Sequence, residues 1–444
     1  MADERPWAGR RLHLIGLGGA GMSGYARVAT QLGAAVSGSD RADSPGLAGL
    51  RDLGIEVHVG HEAANLPAGD DVEVVHSTAI APDNPERAEA RRRGLPDRPR
   101  ADLLGELSAL KRTIAVAGAH GKTTTTSMAA HILLRCGLQP AYLIGGALTT
   151  TGLNADWGDG EWLVVEADES DRSMLALNVE VAVVTNVELD HHATFGSLAE
   201  VRDVFRKFLA GAPQAVLWDR ADVRALRGDH PFIAFDVPAP ALDGDGSSFA
   251  WRDQEVRLRV PGAHNARNAA AALEACLLAG AGAAAATAAL ADFAGAGRRF
   301  QELGTTPEGA RVVDDYAHHP TEVAATIDAA RTRRPRRVVA VFQPHLYSRT
   351  QRLAREFGVA LARADVVAVL DIYEARERAE DFPGISGLLV AEAAADAANG
   401  RLVFWLPTFD VAERALRGVL RDGDLCLVLG AGDIDGLGRQ LVAS

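Results

Sequence analysis

The chain has 444 residues, of which 48% are hydrophobic and 24% charged, the composition of a soluble globular protein with an ample core. Its formal charge of −13 argues against a nucleic-acid binder, because such proteins need a basic field to displace counterions. All but three of the 46 basic residues are arginine, and lysine stands only at Lys111, Lys122 and Lys207.

The N-terminal run Met1-Ala2-Asp3-Glu4-Arg5-Pro6 lacks the basic-then-apolar order of a signal peptide. The most apolar stretch, Leu277 to Ala291, is rich in Ala and Gly and reads as part of one long amphipathic helix. It falls short of the ~20 strongly apolar residues that spanning a bilayer requires, so no membrane insertion and a cytoplasmic enzyme are expected. Cys136, Cys276 and Cys426 lie far apart and give neither a disulfide framework nor a metal-ligand spacing.

Short β-branched runs recur along the chain at 11–16, 72–78, 113–117, 162–167, 181–186, 338–342, 366–372 and 425–429, with helical segments between them. That alternation predicts parallel α/β sheets. Composition shifts at 91–100 and 295–299 divide the chain into three expected α/β domains, about 1–110, 111–303 and 304–444.

The first predicted strand runs into Gly16-Leu17-Gly18-Gly19-Ala20-Gly21, which fits G-x-G-x-x-G, and Asp40 follows about 20 residues on at the end of the next strand. Such a turn lets backbone approach a diphosphate at a helix N-terminus, and leaves open a nicotinamide dehydrogenase. The second domain opens with strand 113–117 and Gly118-Ala119-His120-Gly121-Lys122-Thr123-Thr124. This resembles a P-loop, although the first glycine of that pattern would fall on Val116. Backbone amides there can cradle phosphates, Lys122 can reach the β/γ oxygens, and Thr123 can ligate Mg²⁺. A non-catalytic ATP-binding switch would share these parts.

Acidic and histidine residues follow two later strands, in Glu166-Ala167-Asp168-Glu169-Ser170-Asp171 and in Glu188-Leu189-Asp190-His191-His192. Positions beyond the carboxyl ends of parallel strands are where open α/β sheets bind ligands. A carboxylate and an imidazole there can hold Mg²⁺ between nucleotide and substrate. Further polar clusters are His264, Asn265 and Asn268 at a helix start, Arg298-Arg299 at the second boundary, and two loops bearing Asp314, His318, His345 and Arg349.

Together these segments resemble the ATP-dependent Mur ligase family, from Leu12 to about Gly436. The likeness rests on Gly-Gly-Ala-Gly-Met-Ser at 18–23, Ser-Gly-Ser-Asp at 37–40, Glu-Ala-Asp-Glu-Ser-Asp at 166–171, Gly-Arg-Arg-Phe at 297–300 and Gln-Pro-His at 343–345. Within the family the motifs are most similar to those of the member that joins L-alanine to UDP-N-acetylmuramate, and a tripeptide-recycling member is the alternative. The resemblance implies a Rossmann-like UDP-binding domain, a central P-loop ATPase-like domain, and a Rossmann-like C-terminal domain that closes over ATP and binds the amino acid.

By the same resemblance, Gly118, Ala119, His120, Gly121, Lys122, Thr123 and Thr124 bind ATP, together with His264, Asn265, Asn268, Arg299 and Asp314. Thr123, Glu166 and His191 hold Mg²⁺ or Mn²⁺, and Lys122, Glu166, His191 and Arg299 serve catalysis. Gly18, Asp40, Ser77 and Thr78 line the UDP site, while His192, His318, His345 and Arg349 meet the muramyl group or alanine. The chain departs from the family pattern at Ala119, His192, Ala193, Ala317 and Leu346, the last standing in place of an arginine. Some relatives carry a carbamylated lysine at their metals, but Lys207 is expected at the surface.

Overall fold

A computed structural model describes residues 5–190, 194–244 and 246–443. The predicted runs 11–16 and 72–78 become β1 (Arg11–Ile15) and β4 (Val72–His76), and they share a sheet with β2 (Ala35–Asp40), β3 (Glu56–Val59) and β5 (Asp97–Pro99). Helices α1 (Ala20–Gln31), α2 (Pro45–Arg51), α3 (Pro85–Arg93) and α4 (Arg100–Ala109) alternate with them. All five strands are parallel, in the order β3-β2-β1-β4-β5. The chain builds outward from β1 to β3 and then returns to β4 on the other side, so a crevice opens beyond the carboxyl ends of β1 and β4.

The second sheet is built from β6 (Arg112–Ala117), β7 (Ala141–Leu148), β8 (Leu153–Asp156), β9 (Trp162–Glu166), β10 (Val181–Val184), β11 (Gln214–Trp218) and β12 (Ile233–Phe235). Its helices are α5 (Lys122–Arg135), α6 (Leu198–Ala210) and the short α7 (Ala221–Arg224). The order β12-β11-β10-β6-β9-β7-β8 is parallel except for the β7–β8 hairpin, and it reverses direction at β6. A small antiparallel sheet follows: β13 (Ala241–Leu242), β14 (Ser247–Trp251) and β15 (Gln254–Leu258).

The Ala-rich stretch expected as a single helix is two, α8 (Ala263–Leu278) and α9 (Ala283–Leu290). The break falls at Gly280, whose φ of +95° ends the first helix in the left-handed region that glycine tolerates. The last sheet contains β16 (Gln301–Thr305), β17 (Arg311–Asp315), β18 (Arg337–Phe342), β19 (Val366–Val369), β20 (Leu402–Trp405) and β21 (Asp424–Leu429). Its helices are α10 (Pro320–Thr332), α11 (Tyr347–Leu361), α12 (Leu388–Ala397), α13 (Phe409–Val419) and α14 (Asp435–Val442).

That sheet runs β16-β17-β21-β18-β19-β20, with only β16 antiparallel. Successive strand residues point to opposite faces, and both faces are covered. Val313, Val338, Ala340 and Phe342 pack with Ile327, Phe357 and Val390 of α10–α12. Val312, Val339 and Val341 pack with Leu416 and Leu437 of α13 and α14.

The chain divides into two compact units: Met1–Leu189 with Ser197–Asp236 and Ala271–Ala289, and Asp190–Gly196 with Val237–Ala270 and Leu290–Ser444. Among the described residues no helix is long and apolar enough to cross a membrane.

Candidate active site

In the first unit, the glycine turn sits at the β1/β4 crevice. Gly16, with φ +94°, and Leu17 donate backbone N–H bonds to Ser39 O at 2.8 and 3.0 Å. The Gly18 amide donates to Asp40 Oδ2 at 2.7 Å, and a Cβ at Gly18 would stand 2.9 Å from that oxygen. Ser77 and Thr78 follow β4 on the opposite side, with the Ser77 amide bound to Ile15 O at 3.2 Å. Gly18, Asp40, Ser77 and Thr78 therefore gather at the carboxyl ends of three adjacent strands.

A buried polar network under this sheet carries no motif in the sequence. Glu86 of α3 accepts from Ser39 Oγ at 2.7 Å and Asn65 Nδ2 at 2.8 Å, and lies 3.1 Å from His13 Nε2. Burial would raise the Glu86 pKa, but those partners hold it below the usual carboxylate range.

The glycine loop 118–121 leaves β6 at the reversal point of the second sheet. Gly118 adopts φ +140°, and a Cβ there would fall 2.0 Å from Thr185 Oγ1. Gly121, φ +82°, caps the start of α5. Asn186, which no sequence motif singles out, braces the loop twice: it accepts from the His120 amide at 2.9 Å and donates to His120 O at 2.8 Å. His120 Nε2 lies 3.2 Å from Glu188 Oε2. Thr123 and Thr124 are buried in the first turn of α5.

Glu166 ends β9 beside this loop. It accepts the Gly145 amide at 2.6 Å and the Thr123 hydroxyl at 3.2 Å. A carboxylate and a hydroxyl so placed are hard oxygen donors, the ligand chemistry that Mg²⁺ prefers. Lys122 Nζ donates to Gly118 O and to both oxygens of Glu169. Burial disfavours its charge, yet Glu169, Asp168 and Glu166 outweigh burial and hold the ammonium above the ordinary lysine range.

Farther along the acidic run, Asp171 accepts from Arg100 Nη2 at 2.7 Å and Nε at 3.0 Å, and Asp168 accepts from Arg100 Nη2 at 3.3 Å. Tyr25 of α1 is buried beside that guanidinium, and burial pushes its hydroxyl up to about 12. A pocket of about 140 Å³ beside them is lined by Gly21, Tyr25, Arg100, Gly145 and Glu166. It joins the helix after the glycine turn to the carboxylate beside the P-loop. His191 and His192 lie outside the described residues.

In the second unit, His264 begins α8 after Gly262, whose φ is +100° and where a Cβ would meet the imidazole at 2.6 Å. Burial first, then the charges of Arg267 and Arg299, lower the His264 pKa to about 4 against the opposing pull of Glu322. Asn265 Nδ2 donates to Pro261 O at 2.7 Å, and Asn268 Nδ2 lies 3.5 Å from Asn265 Oδ1.

Of the paired arginines, Arg298 rather than Arg299 binds Asp314, at 3.1 Å, and it also donates to Gly430 O and Gly432 O at 2.8 Å each. Asp314 itself is fully buried. The Arg299 guanidinium stands 5.1 Å from the Tyr316 ring centre and 3.9 Å from Glu322.

The loops after β17 and β18 meet on one edge, as parallel strands require. His318 and His345 lie edge to face with ring centres 6.2 Å apart, and His345 stacks on Tyr373 at 5.8 Å. Burial lowers His318 to about 4, with Arg349 adding to the effect and Glu322 opposing it. Burial, His318 and Arg349 lower His345 to about 3. Both rings are therefore uncharged near neutrality. Arg349 is nearly buried and paired with Asp190. Leu346 sits before α11 with φ +72°, a strained conformation for a branched residue.

Comparison with known proteins agrees with this geometry. The family described as Mur ligase family, catalytic domain, matches residues 11–112; the Mur ligase middle domain matches 116–276; and the Mur ligase glutamate ligase domain matches 298–432. The UDP-N-acetylmuramate–L-alanine ligase of Acidithiobacillus ferrooxidans is 46% identical over 98% of this chain and 98% of its own. That of Thermobifida fusca is 44% identical over 97% of this chain and 96% of its own. The crystal structure of the UDP-N-acetylmuramate–alanine ligase of Thermotoga maritima superposes with a TM-score of 0.83 at 28% identity, covering 97% of this chain and 98% of that one. The chain belongs to the Mur ligase family, the ATP-dependent ligases built from these three domains.

Proposed function

We propose that this chain joins L-alanine to the lactyl carboxylate of UDP-N-acetylmuramate, with ATP converted to ADP and phosphate, in the synthesis of peptidoglycan precursors. The observation that carries the reading is identity of 44–46% with ligases of that name over nearly the whole chain. The tripeptide-recycling reading has weaker support, since the murein peptide ligase of Psychrobacter arcticus shares 24% identity and a TM-score of 0.74, a likeness of fold. ATP and UDP-sugars are cytoplasmic metabolites, and we place the enzyme there.

A carboxylate is a poor electrophile. In the proposed reaction its oxygen attacks the γ-phosphorus, the bond to ADP breaks, and an acyl phosphate forms. The alanine amine, having lost its ammonium proton, then attacks the acyl carbon; the tetrahedral intermediate expels phosphate and loses a second proton to leave the amide. Little covalent work falls to the protein, so positioning and charge neutralisation account for the rate.

We assign Gly18, Asp40, Ser77 and Thr78 to the UDP moiety, and the P-loop amides and Lys122 to the phosphates. Thr123 and Glu166, with His191, would hold Mg²⁺, which neutralises phosphate charge when bound. His264, Asn265, Asn268 and Arg299 are assigned to the nucleotide, with Asp314 acting through Arg298. His192, His318, His345 and Arg349 are assigned to the muramyl group or alanine.

The deciding assay follows ADP release by the purified chain. It should require UDP-N-acetylmuramate and L-alanine together. Turnover with the tripeptide but not alanine would favour the recycling reaction; ATP-independent NADH oxidation would revive a dehydrogenase; and tight ATP binding without product would point to a switch.

A further inference from the structure

The acidic run Glu166–Asp171 contains a member that the family likeness leaves without a role. Glu169 is 3% exposed, and its Oε2 and Oε1 accept hydrogen bonds from Lys122 Nζ at 3.0 and 3.1 Å. The ammonium also donates to Gly118 O at 2.6 Å. An ammonium has three N–H donors on a flexible four-carbon stem, and by itself nothing in lysine fixes where they point. Here they are fixed by one carboxylate and one loop carbonyl.

The loop presenting Glu169 is anchored on both sides. Before it, Glu166 is held by the Gly145 amide and the Thr123 hydroxyl. Around it, Asp168 Oδ1 accepts the Ser170 amide at 2.9 Å and Asp171 Oδ1 accepts the Ser173 amide at 3.0 Å. The second oxygen of each binds Arg100. A carboxylate on so constrained a loop can orient its partner, because its own position is already determined.

We propose that Glu169 is a positioning residue for Lys122, holding its ammonium over the phosphate-cradling loop in the orientation that phosphoryl transfer needs. When a phosphate oxygen arrives, the neutral Gly118 carbonyl is the partner given up, and the charge-assisted bonds to Glu169 persist. Glu169 would then govern how the transferring phosphoryl is held, more than whether ATP binds. A merely structural ion pair would govern stability alone.

This inference rests on the proposed ATP-dependent ligation, and the test keeps the two apart. The full chain and its Glu169→Gln and Glu169→Asp variants are assayed for phosphate release with both substrates. ATP affinity is measured separately by calorimetry, and folding by thermal melting. Because a displacement of about 1 Å can cost about 100-fold in rate, Glu169→Gln should lower kcat at least ~30-fold while ATP affinity stays within about threefold or tightens. Glu169→Asp keeps the charge one methylene shorter and should lower kcat by about 3–10-fold with ATP affinity unchanged. The inference is overturned if Glu169→Gln retains kcat within about twofold, or if it weakens ATP binding with kcat intact. Should Glu169→Gln not fold, Glu169→Asp decides alone: wild-type kcat would overturn the inference. Turnover by the unmodified chain in the same assay is the check on the ligase reading, so its absence would sink that reading, whereas unaffected variants beside an active parent would sink only the role of Glu169.

Discussion

Arg349 binds Asp190, 159 residues away in sequence, through hydrogen bonds of 3.0, 3.2 and 3.3 Å, and both side chains are almost excluded from solvent. A buried pair of this kind adds little over a well-packed apolar pair, but removing one partner strands the other charge in a medium that cannot solvate it. Asp190→Asn should therefore cost about 3–5 kcal/mol in denaturant unfolding, and Arg349→Met a similar amount. The double variant should recover much of that loss, since it leaves no stranded charge. Activity should not return with stability, because Asp190 directly precedes His191 and Arg349 belongs to the proposed substrate site. A double variant as unstable as the sum of the singles would show the pair is not coupled.

Gly118 leaves no room for a side chain, and its φ of +140° is one that L residues rarely adopt. Gly118→Ala would place a methyl 2.0 Å from Thr185 Oγ1 and 3.1 Å from the Asn186 backbone. The loop can only yield by moving its amides, so stability should drop by about 1–3 kcal/mol and turnover by at least tenfold. Gly49 of α2 offers the contrast, since a methyl added there would meet nothing within 4 Å. Gly49→Ala should leave turnover unchanged and raise stability by about 0.5–1 kcal/mol. Equal melting temperatures for the two variants would contradict the steric account.

Much of the scaffold was legible because parallel strands buried on both faces are written as continuous β-branched runs, as in β6, β10 and β18. The glycine turn and the P-loop were legible because each needs glycine at a position whose backbone conformation excludes other residues. What remained hidden depended on exposed or distant partners. The antiparallel strands β14 and β15 carry polar residues such as Ser248, Glu255 and Arg257 on their more exposed face, so no continuous apolar run announces them. The partner of Arg349 could not be read from sequence, nor could Arg298 be chosen over Arg299 for Asp314, since adjacent residues differ only in which way the backbone turns them. Lys111 finds its explanation only in the folded chain, where its ammonium lies over Trp157 and donates to the carbonyls of Gly158 and Gly160.

The three depressed histidines make stability depend on pH. His264, His318 and His345 have folded values of about 4, 4 and 3. An unfolded histidine titrates near 6.5, so each takes up a proton on unfolding in the interval between. Their contribution is complete above about pH 6.5 and is lost as pH falls through the folded values. Asp315 opposes them: burial raises it to about 6, so its contribution is present below about pH 4 and is lost as pH rises through 6. Near pH 5 the balance is an uptake of about two protons, an upper limit of about 3 kcal/mol per pH unit. Unfolding free energies at pH 7, 6 and 5 should fall in that order, and His318→Gln should flatten the slope by about one proton. A stability constant from pH 7 to 5 would refute this.

The lysines that stood out against so many arginines separate into three kinds of site, and each predicts its own outcome. Lys122→Arg swaps a compact point charge for a planar fork that cannot make the same bonds to Glu169, Gly118 and phosphate, so turnover should fall about 100-fold or more. Lys111→Met removes charge-assisted bonds to two carbonyls and the contact with Trp157, and should cost about 1–3 kcal/mol of stability with turnover kept. Lys207 lies on the exposed face of α6, and Lys207→Arg should change neither quantity beyond about 0.5 kcal/mol or twofold. Loss of turnover in Lys207→Arg, with folding intact, would give that side chain a role at the site after all.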